Sequence, residues 1–254
     1  MPCGHMGTLD PLASGVLPVA IGNASRLFNY LLNKEKIYRA VFRFGEETDT
    51  LDSTGSLLRD GLPVPSEEEL IEAAGEFIGD IDQVPPAYSA KNIGGVRAYR
   101  LARQGNAPVL APRRVHIGQI EFLGREKAGE FAFRISCGGG TYIRSLGRDI
   151  AARCNTVAVM CALVREKSGF FTLKDSVSPD EVTEENWRGK LIPPEFVFDM
   201  PALDFDGREA ERIRCGQSLH FDGADGEYKL YLDDELYGIA VGENCHVRAK
   251  VKLI

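Results

Sequence analysis

Alternating apolar and polar residues predict strands in three places. Lys36 to Phe44 sets Tyr38, Ala40, Phe42 and Phe44 on one side and Arg39, Val41 and Arg43 on the other. Val115 to Phe122 is a second strand, and Glu130 to Cys137 a third, with Phe131, Phe133, Ile135 and Cys137 on one face. Helical spacing takes over at Ala24 to Asn33, where Leu27, Phe28, Leu31 and Leu32 fall together, and at Glu67 to Ile78, whose stripe is Leu70, Ile71, Ala74, Phe77 and Ile78. Ser66 and Glu69 form a capping box ahead of that second helix. A short helix is expected over Arg97 to Gln104. After Gly138-Gly139-Gly140, Thr141 is placed to cap a helix with Ile143, Leu146, Ile150 and Ala151 on its buried side, so Tyr142 and Arg144 fall in its first turn.

The composition shifts near Leu191-Ile192-Pro193-Pro194. Beyond Pro201 the pattern is a short helix, Glu209 to Arg214, then strands at Tyr228 to Leu232, Leu236 to Val241 and Val247 to Ile254, with a turn at Asp233-Asp234-Glu235. A β module of this size cannot bury a large core alone. The expected organisation is a main domain over 1–198 and a small one over 199–254.

The 254 residues, 44% of them hydrophobic, suffice for a substantial core. No apolar run reaches membrane-spanning length and no signal-like leader opens the chain, which points to a cytoplasmic protein. Six cysteines without a Cys-x-x-Cys pair and four scattered histidines suggest neither a zinc site nor a disulfide framework; the expected state is reduced, mostly packed thiols. The net charge of −7 is unevenly spread. Tyr88 to Lys167 carries 14 Lys/Arg against 5 Asp/Glu, and the rest 16 against 32, so a segment of +9 sits within a remainder of −16. A basic stretch in an acidic protein is a candidate RNA face.

The densest chemical signal is Gly4-His5-Met6-Gly7-Thr8-Leu9-Asp10-Pro11-Leu12-Ala13-Ser14-Gly15. Pro11 fixes φ directly after Asp10, so the carboxylate stands on a stiff corner, a candidate reactive group. The string resembles the signature of the TruB-type tRNA pseudouridine synthases. Further segments match that family in order: Lys36-Ile37-Tyr38-Arg39; Thr48-Asp49-Thr50-Leu51-Asp52-Ser53-Thr54-Gly55; Pro85-Pro86-Ala87-Tyr88-Ser89-Ala90-Lys91 with Gly94 and Arg97-Ala98-Tyr99; Gly140-Thr141-Tyr142-Ile143-Arg144-Ser145-Leu146; and Leu163-Val164-Arg165 with Ser168-Gly169-Phe170-Phe171. The family carries a strand, a helix and a Lys-Pro motif ahead of Gly-His, whereas Met1-Pro2-Cys3 alone precede it here. That departure implies either a start codon assigned too far downstream or a compromised version, with an unpaired sheet edge.

The resemblance implies an α+β fold: a mixed, mainly antiparallel sheet with flanking helices, followed by a small β-rich PUA-like domain that binds RNA. It implies isomerisation of uridine to pseudouridine in the T stem-loop of tRNA, at position 55, by a monomer with no cofactor, no metal and no obligate protein partner. Asp10 becomes the nucleophile, Arg144 its charge partner, and Tyr38 the ring that stacks on the flipped uracil and shuttles a proton. His5 is expected to fill the gap left by the flipped base, Tyr142 and Leu163 to line the uracil pocket, and Lys91 and Arg165 to touch phosphate or brace loops. Two other classes fit parts of the pattern. Asp49 and Asp52 with Asp10 could serve a Mg-dependent hydrolase, and the basic segment with its tail could serve a tRNA-folding chaperone without turnover.

Overall fold

The computed structural model describes residues 2–32, 34–89, 92–104 and 110–254. The chain begins with β1 (Cys3–His5), β2 (Ser14–Gly15) and β3 (Val19–Ile21), then a 3₁₀ turn over Gly22–Leu27 that leads into α1 (Phe28–Leu32). The long strand β4 (Lys36–Phe44) follows, with β5 (Glu47–Thr48), β6 (Leu57–Arg59), α2 (Glu67–Gly75) and β7 (Gly79–Gln83). After β8 (Asn92–Ile93), β9 (Val96–Arg97) and α3 (Ala98–Arg103) come the hairpin β10 (Arg113–Lys127) and β11 (Glu130–Cys137), α4 (Ile143–Arg153), β12 (Ala158–Ser168) and β13 (Phe171–Thr172). The last part holds β14 (Ala202–Phe205), α5 (Gly207–Arg214), β15 (Leu219–His220), β16 (Gly226–Leu232), β17 (Glu235–Glu243) and β18 (His246–Lys252).

These elements form two compact units that do not follow chain order. One comprises Met1–Thr8, Leu17–Leu32 and Asp175–Ile254; the other comprises Leu9–Val16 and Asn33–Lys174.

In the second of these units a sheet runs β13-β12-β4-β11-β10-β7, and β12 pairs in parallel with β2 as well. All its other pairings are antiparallel. The alternation read from the sequence is what this sheet buries: Ala40, Phe42 and Phe44 of β4 stack beside Phe131, Phe133 and Ile135 of β11, under Leu146, Ile150 and Ala151 of α4. Burying a phenylalanine of this kind contributes about 1.5–3 kcal/mol. Gly147 permits the close seat of α4, because a Cβ there would meet the Phe42 ring.

Three details depart from the sequence reading. The stretch expected as one helix over 24–33 is a 3₁₀ turn followed by a short α-helix, since Ser25 Oγ donates to the Gly22 carbonyl at 3.1 Å and tightens the backbone. The capping box of α2 is present, but the helix ends at Gly75 and its buried face is Leu70, Ala73 and Ala74; Ile71 and Ile78 are exposed. The thiols of Cys3, Cys215 and Cys245 are exposed rather than packed, whereas burial pushes Cys137 up to about 11 and keeps it a thiol.

In the other unit β1 and β3 make a two-stranded ribbon, and β14-β16-β17-β18-β15 make a five-stranded sheet. Ala210 and Ile213 of α5 pack on Leu230, Ala240 and Val247. The Asp233-Asp234 turn joins β16 to β17 with φ of 51° and 64°, the left-handed geometry that short acidic side chains tolerate in a hairpin.

Candidate active site

The site is assembled on the sheet that carries β4. Asp10 leads into a turn closed by its own carbonyl, which accepts from the Ala13 N–H at 2.8 Å. Beyond the turn, β2 lies along β12 with Gly15 opposite Arg165. Gly15 has φ +102°, and a Cβ there would collide with the Arg165 carbonyl, so only glycine lets the segment close on the strand. Val16 N–H then donates to the Arg165 carbonyl at 2.8 Å, while Arg165 Nε donates to the Val16 carbonyl at 2.7 Å.

Arg144 is in the first turn of α4, only 6% exposed, and its guanidinium is used on every side. Nε donates to Asp10 Oδ2 at 2.8 Å and Nη2 to Asp10 Oδ1 at 3.0 Å, a bidentate pair that fixes both oxygens. Nη2 also reaches the Tyr88 carbonyl at 3.0 Å, and Nη1 the Thr50 carbonyl at 2.9 Å. Asp52 Oδ2 lies 3.5 Å from Nη1.

The two carboxylates differ in access: the Asp52 side chain is 6% exposed and the Asp10 side chain 30%. Asp52 spends its other oxygen on Thr50 Oγ1 at 2.8 Å, the Thr54 N–H at 3.0 Å and Thr54 Oγ1 at 2.5 Å. Its loop is fastened to β12 through Met160, whose N–H donates to the Leu51 carbonyl at 3.0 Å and whose carbonyl accepts from Ser53 at 2.9 Å. Leu51 holds φ at 61° to allow this, a conformation costly for a branched side chain. Asp49 stands apart from the guanidinium and accepts from Tyr88 Oη at 3.2 Å and Ser56 N–H at 2.8 Å. The positive charge between Asp10 and Asp52 is thus the guanidinium itself. Among the described residues no three His, Cys, Asp or Glu side chains are grouped to hold a metal ion.

Tyr38 is 8% exposed and sits in β4 between Ile135 and Arg165. Burial pushes its phenol above the usual tyrosine range; Arg165 opposes the shift, and Cys137 and Asp10 reinforce it. The hydroxyl therefore stays protonated at neutral pH, within the influence of both Arg165 and Asp10.

Asp10, Tyr38, Arg144 and Arg165 thus share one unit, with Tyr142 and Leu163. Leu163 is buried against Ala40 in the sheet core, and Tyr142 is half-buried at the start of α4. Arg165 is 1% exposed and braces the Gly15-Val16 backbone; phosphate contact is the half of its expectation that this burial disfavours. His5 lies in the other unit, exposed on the β1–β3 ribbon opposite Val19. Lys91 lies outside the described residues. Thr141, expected to cap α4, instead donates to the Gly138 carbonyl at 3.0 Å, and the N-cap residue is Tyr142. The reason is that Gly140, with φ +82°, turns the backbone before Thr141 can face the helix end. Sequence reasoning passed over Gln83 and the Tyr88 and Thr50 carbonyls, because backbone acceptors leave no mark in a sequence and Gln83 sits in an ordinary strand pattern.

Residues 2–143 match the family model described as TruB family pseudouridylate synthase (N terminal domain). The chain belongs to the TruB family. A relative named tRNA pseudouridine synthase B from Rickettsia akari is 35% identical over 250 residues, 95% of this chain and 85% of its own. One of the same name from Acaryochloris marina is 39% identical over 257 residues, covering 99% and 88%. Among solved structures, an H/ACA ribonucleoprotein bound to a substrate RNA containing 2′-deoxyuridine superposes with a TM-score of 0.72 at 22% identity, covering all of this chain and 77% of that one. A Cbf5-Nop10-Gar1 complex gives 0.70 at 23% identity, with the same coverage. At that identity the likeness is one of fold: this mixed, mainly antiparallel architecture is shared with those two structures.

Proposed function

We propose that this chain isomerises uridine to pseudouridine in the T stem-loop of tRNA, with Asp10 as the nucleophile. The observation that carries the reading is the bidentate grip of Arg144 on Asp10, a buried cation holding a partly exposed carboxylate at fixed geometry. The reaction breaks the N1–C1′ bond, turns the uracil and rejoins it through C5, consuming neither nucleotide nor redox group. It needs an ionised carboxylate at the sugar or base and a site that keeps water out.

In this reading Tyr38 supplies the stacking face for the extracted base and a neutral hydroxyl for proton transfer. Tyr142 and Leu163 border the uracil, and His5 fills the stack that the base leaves. Lys91 takes phosphate, Arg165 braces the Asp10 segment, and residues 199–254 add RNA contacts as a PUA-like domain. The chain acts as a monomer without a protein partner.

The test is tritium release from RNA labelled at uracil C5. An isolated T-arm hairpin should react, and the same bases in unstructured RNA should react poorly, because hairpin loops are read through splayed bases and backbone shape. Asp10→Asn should abolish release while tRNA binding stays within a few-fold. Equal reaction of both RNAs would overturn the T-loop assignment. Tight binding without release by the unaltered protein would favour the folding chaperone, and release that survives EDTA eliminates the metal-dependent hydrolase.

A further inference from the structure

Gln83, the last residue of β7, is fully buried. A buried carboxamide must satisfy both a donor and an acceptor. Gln83 does so on the backbone of one residue: its Oε1 accepts from the Tyr142 N–H at 2.8 Å and its Nε2 donates to the Tyr142 carbonyl at 3.2 Å. Tyr142 is the N-cap residue of α4 and makes no side-chain cap of its own, so a residue 59 positions earlier does the capping. The next residues keep hold of the same helix. The Val84 carbonyl accepts from Ser145 Oγ at 2.9 Å and from Arg148 Nη2 at 3.1 Å. Pro85 and Pro86, both buried, restrict the backbone that follows, and the Tyr88 carbonyl then accepts from Arg144 Nη2 at 3.0 Å. One short, stiffened segment therefore grips α4 at the Tyr142 backbone and at the guanidinium of Arg144.

We propose that Gln83 is a positioning residue for the reaction: by pinning the Tyr142 backbone on both sides of its Cα it sets the first turn of α4 so that Arg144 presents both nitrogens to Asp10. This rests on the reading of Asp10 and Arg144 given above. Gln83 touches no reacting atom; its effect is on the aim of Arg144.

The experiment is single-turnover pseudouridine formation at saturating tRNA, in which the amplitude counts correctly folded enzyme and the rate constant reports its geometry. Gln83→Met keeps the volume and removes both hydrogen bonds. Its rate constant should fall on the order of 100-fold, the loss expected for misplacement by about an ångström, with tRNA affinity nearly unchanged. Gln83→Glu, which retains an acceptor for the Tyr142 N–H but in its ionised form no donor, serves where the methionine variant does not fold and should also be slow. A rate constant equal to that of the unaltered protein in the folded fraction of either variant, whatever the amplitude, overturns the inference, because a purely structural role lowers amplitude alone. Asp10→Asn in the same assay keeps the two readings apart. If it turns over, the role of Asp10 fails and this inference with it; if it is dead while the Gln83 variants run at full rate, only the inference fails.

Discussion

The two units treat polar groups in opposite ways. Among the described residues, every buried polar or charged side chain falls between Lys36 and Ser168, including Asp52, Gln83, Arg144 and Arg165. The sheet from β14 to β18 is filled instead by Leu230, Leu232, Ile239, Ala240 and Val247, with its ion pairs outside, such as Lys250 with Glu227. Burying an ion or amide costs several kcal/mol unless each atom finds a partner. A fold accepts that cost where geometry matters more than stability. The first pattern is what the proposed reaction asks of its site, and the second is that of an ordinary apolar core.

Substitutions can press on that contrast, from the largest expected effect to the smallest. Tyr38→Phe removes a hydroxyl held neutral by burial and should lower the rate about 10²- to 10⁴-fold, the range of general acid–base contributions, with tRNA binding intact. Persisting turnover would leave the ring with stacking alone. Arg144→Lys keeps the charge but replaces a planar fork by a single ammonium, so the Asp10 oxygens lose their paired donors. Turnover measured by tritium release should drop on the order of 100-fold, and a near-normal rate would break the proposed pairing.

In the apolar unit the expectation reverses. Leu230→Ala should cost about 2–5 kcal/mol in denaturant unfolding, while the single-turnover rate of folded enzyme stays unchanged. Lys250→Met removes an exposed ion pair and should shift stability by less than about 1 kcal/mol. A slowed chemical step in Leu230→Ala would erase the division of labour between the units.

What could be read from the sequence follows from where the information resides. Alternation located β4 and β11 to the residue, because one face of β11 is wholly apolar and that of β4 is apolar or aromatic from Tyr38 onward, after Lys36. Arg144 was legible as a residue of the first turn of α4, since a glycine run and a 3.6-residue period bracket it. Its partners were only half legible. Asp10 was, through its own motif, but Asp52 was read beside Asp49 as a possible cation site, because sequence does not reveal which carboxylate a guanidinium will reach. Arg165 illustrates the same limit: in a basic stretch it reads equally as a phosphate contact or a loop brace, and only the fold shows its Nε on the Val16 carbonyl. Gln83 carried no signal, as a long-range bond to backbone depends on tertiary approach alone.

The Asp10–Arg144 bond spans 134 positions and the Arg165–Val16 bond 149, so the candidate site is closed by loops each longer than half the chain. Loop closure of that length is slow, and it is paid before the contact returns anything. A chain leaving the ribosome therefore carries the proposed nucleophile, Asp10, well before the groups that hold it, and the proposed site stays incomplete until β12 has been made. In refolding from denaturant, pseudouridine-forming activity should return after the far-ultraviolet signal of secondary structure, with β12 pairing as the step that separates them.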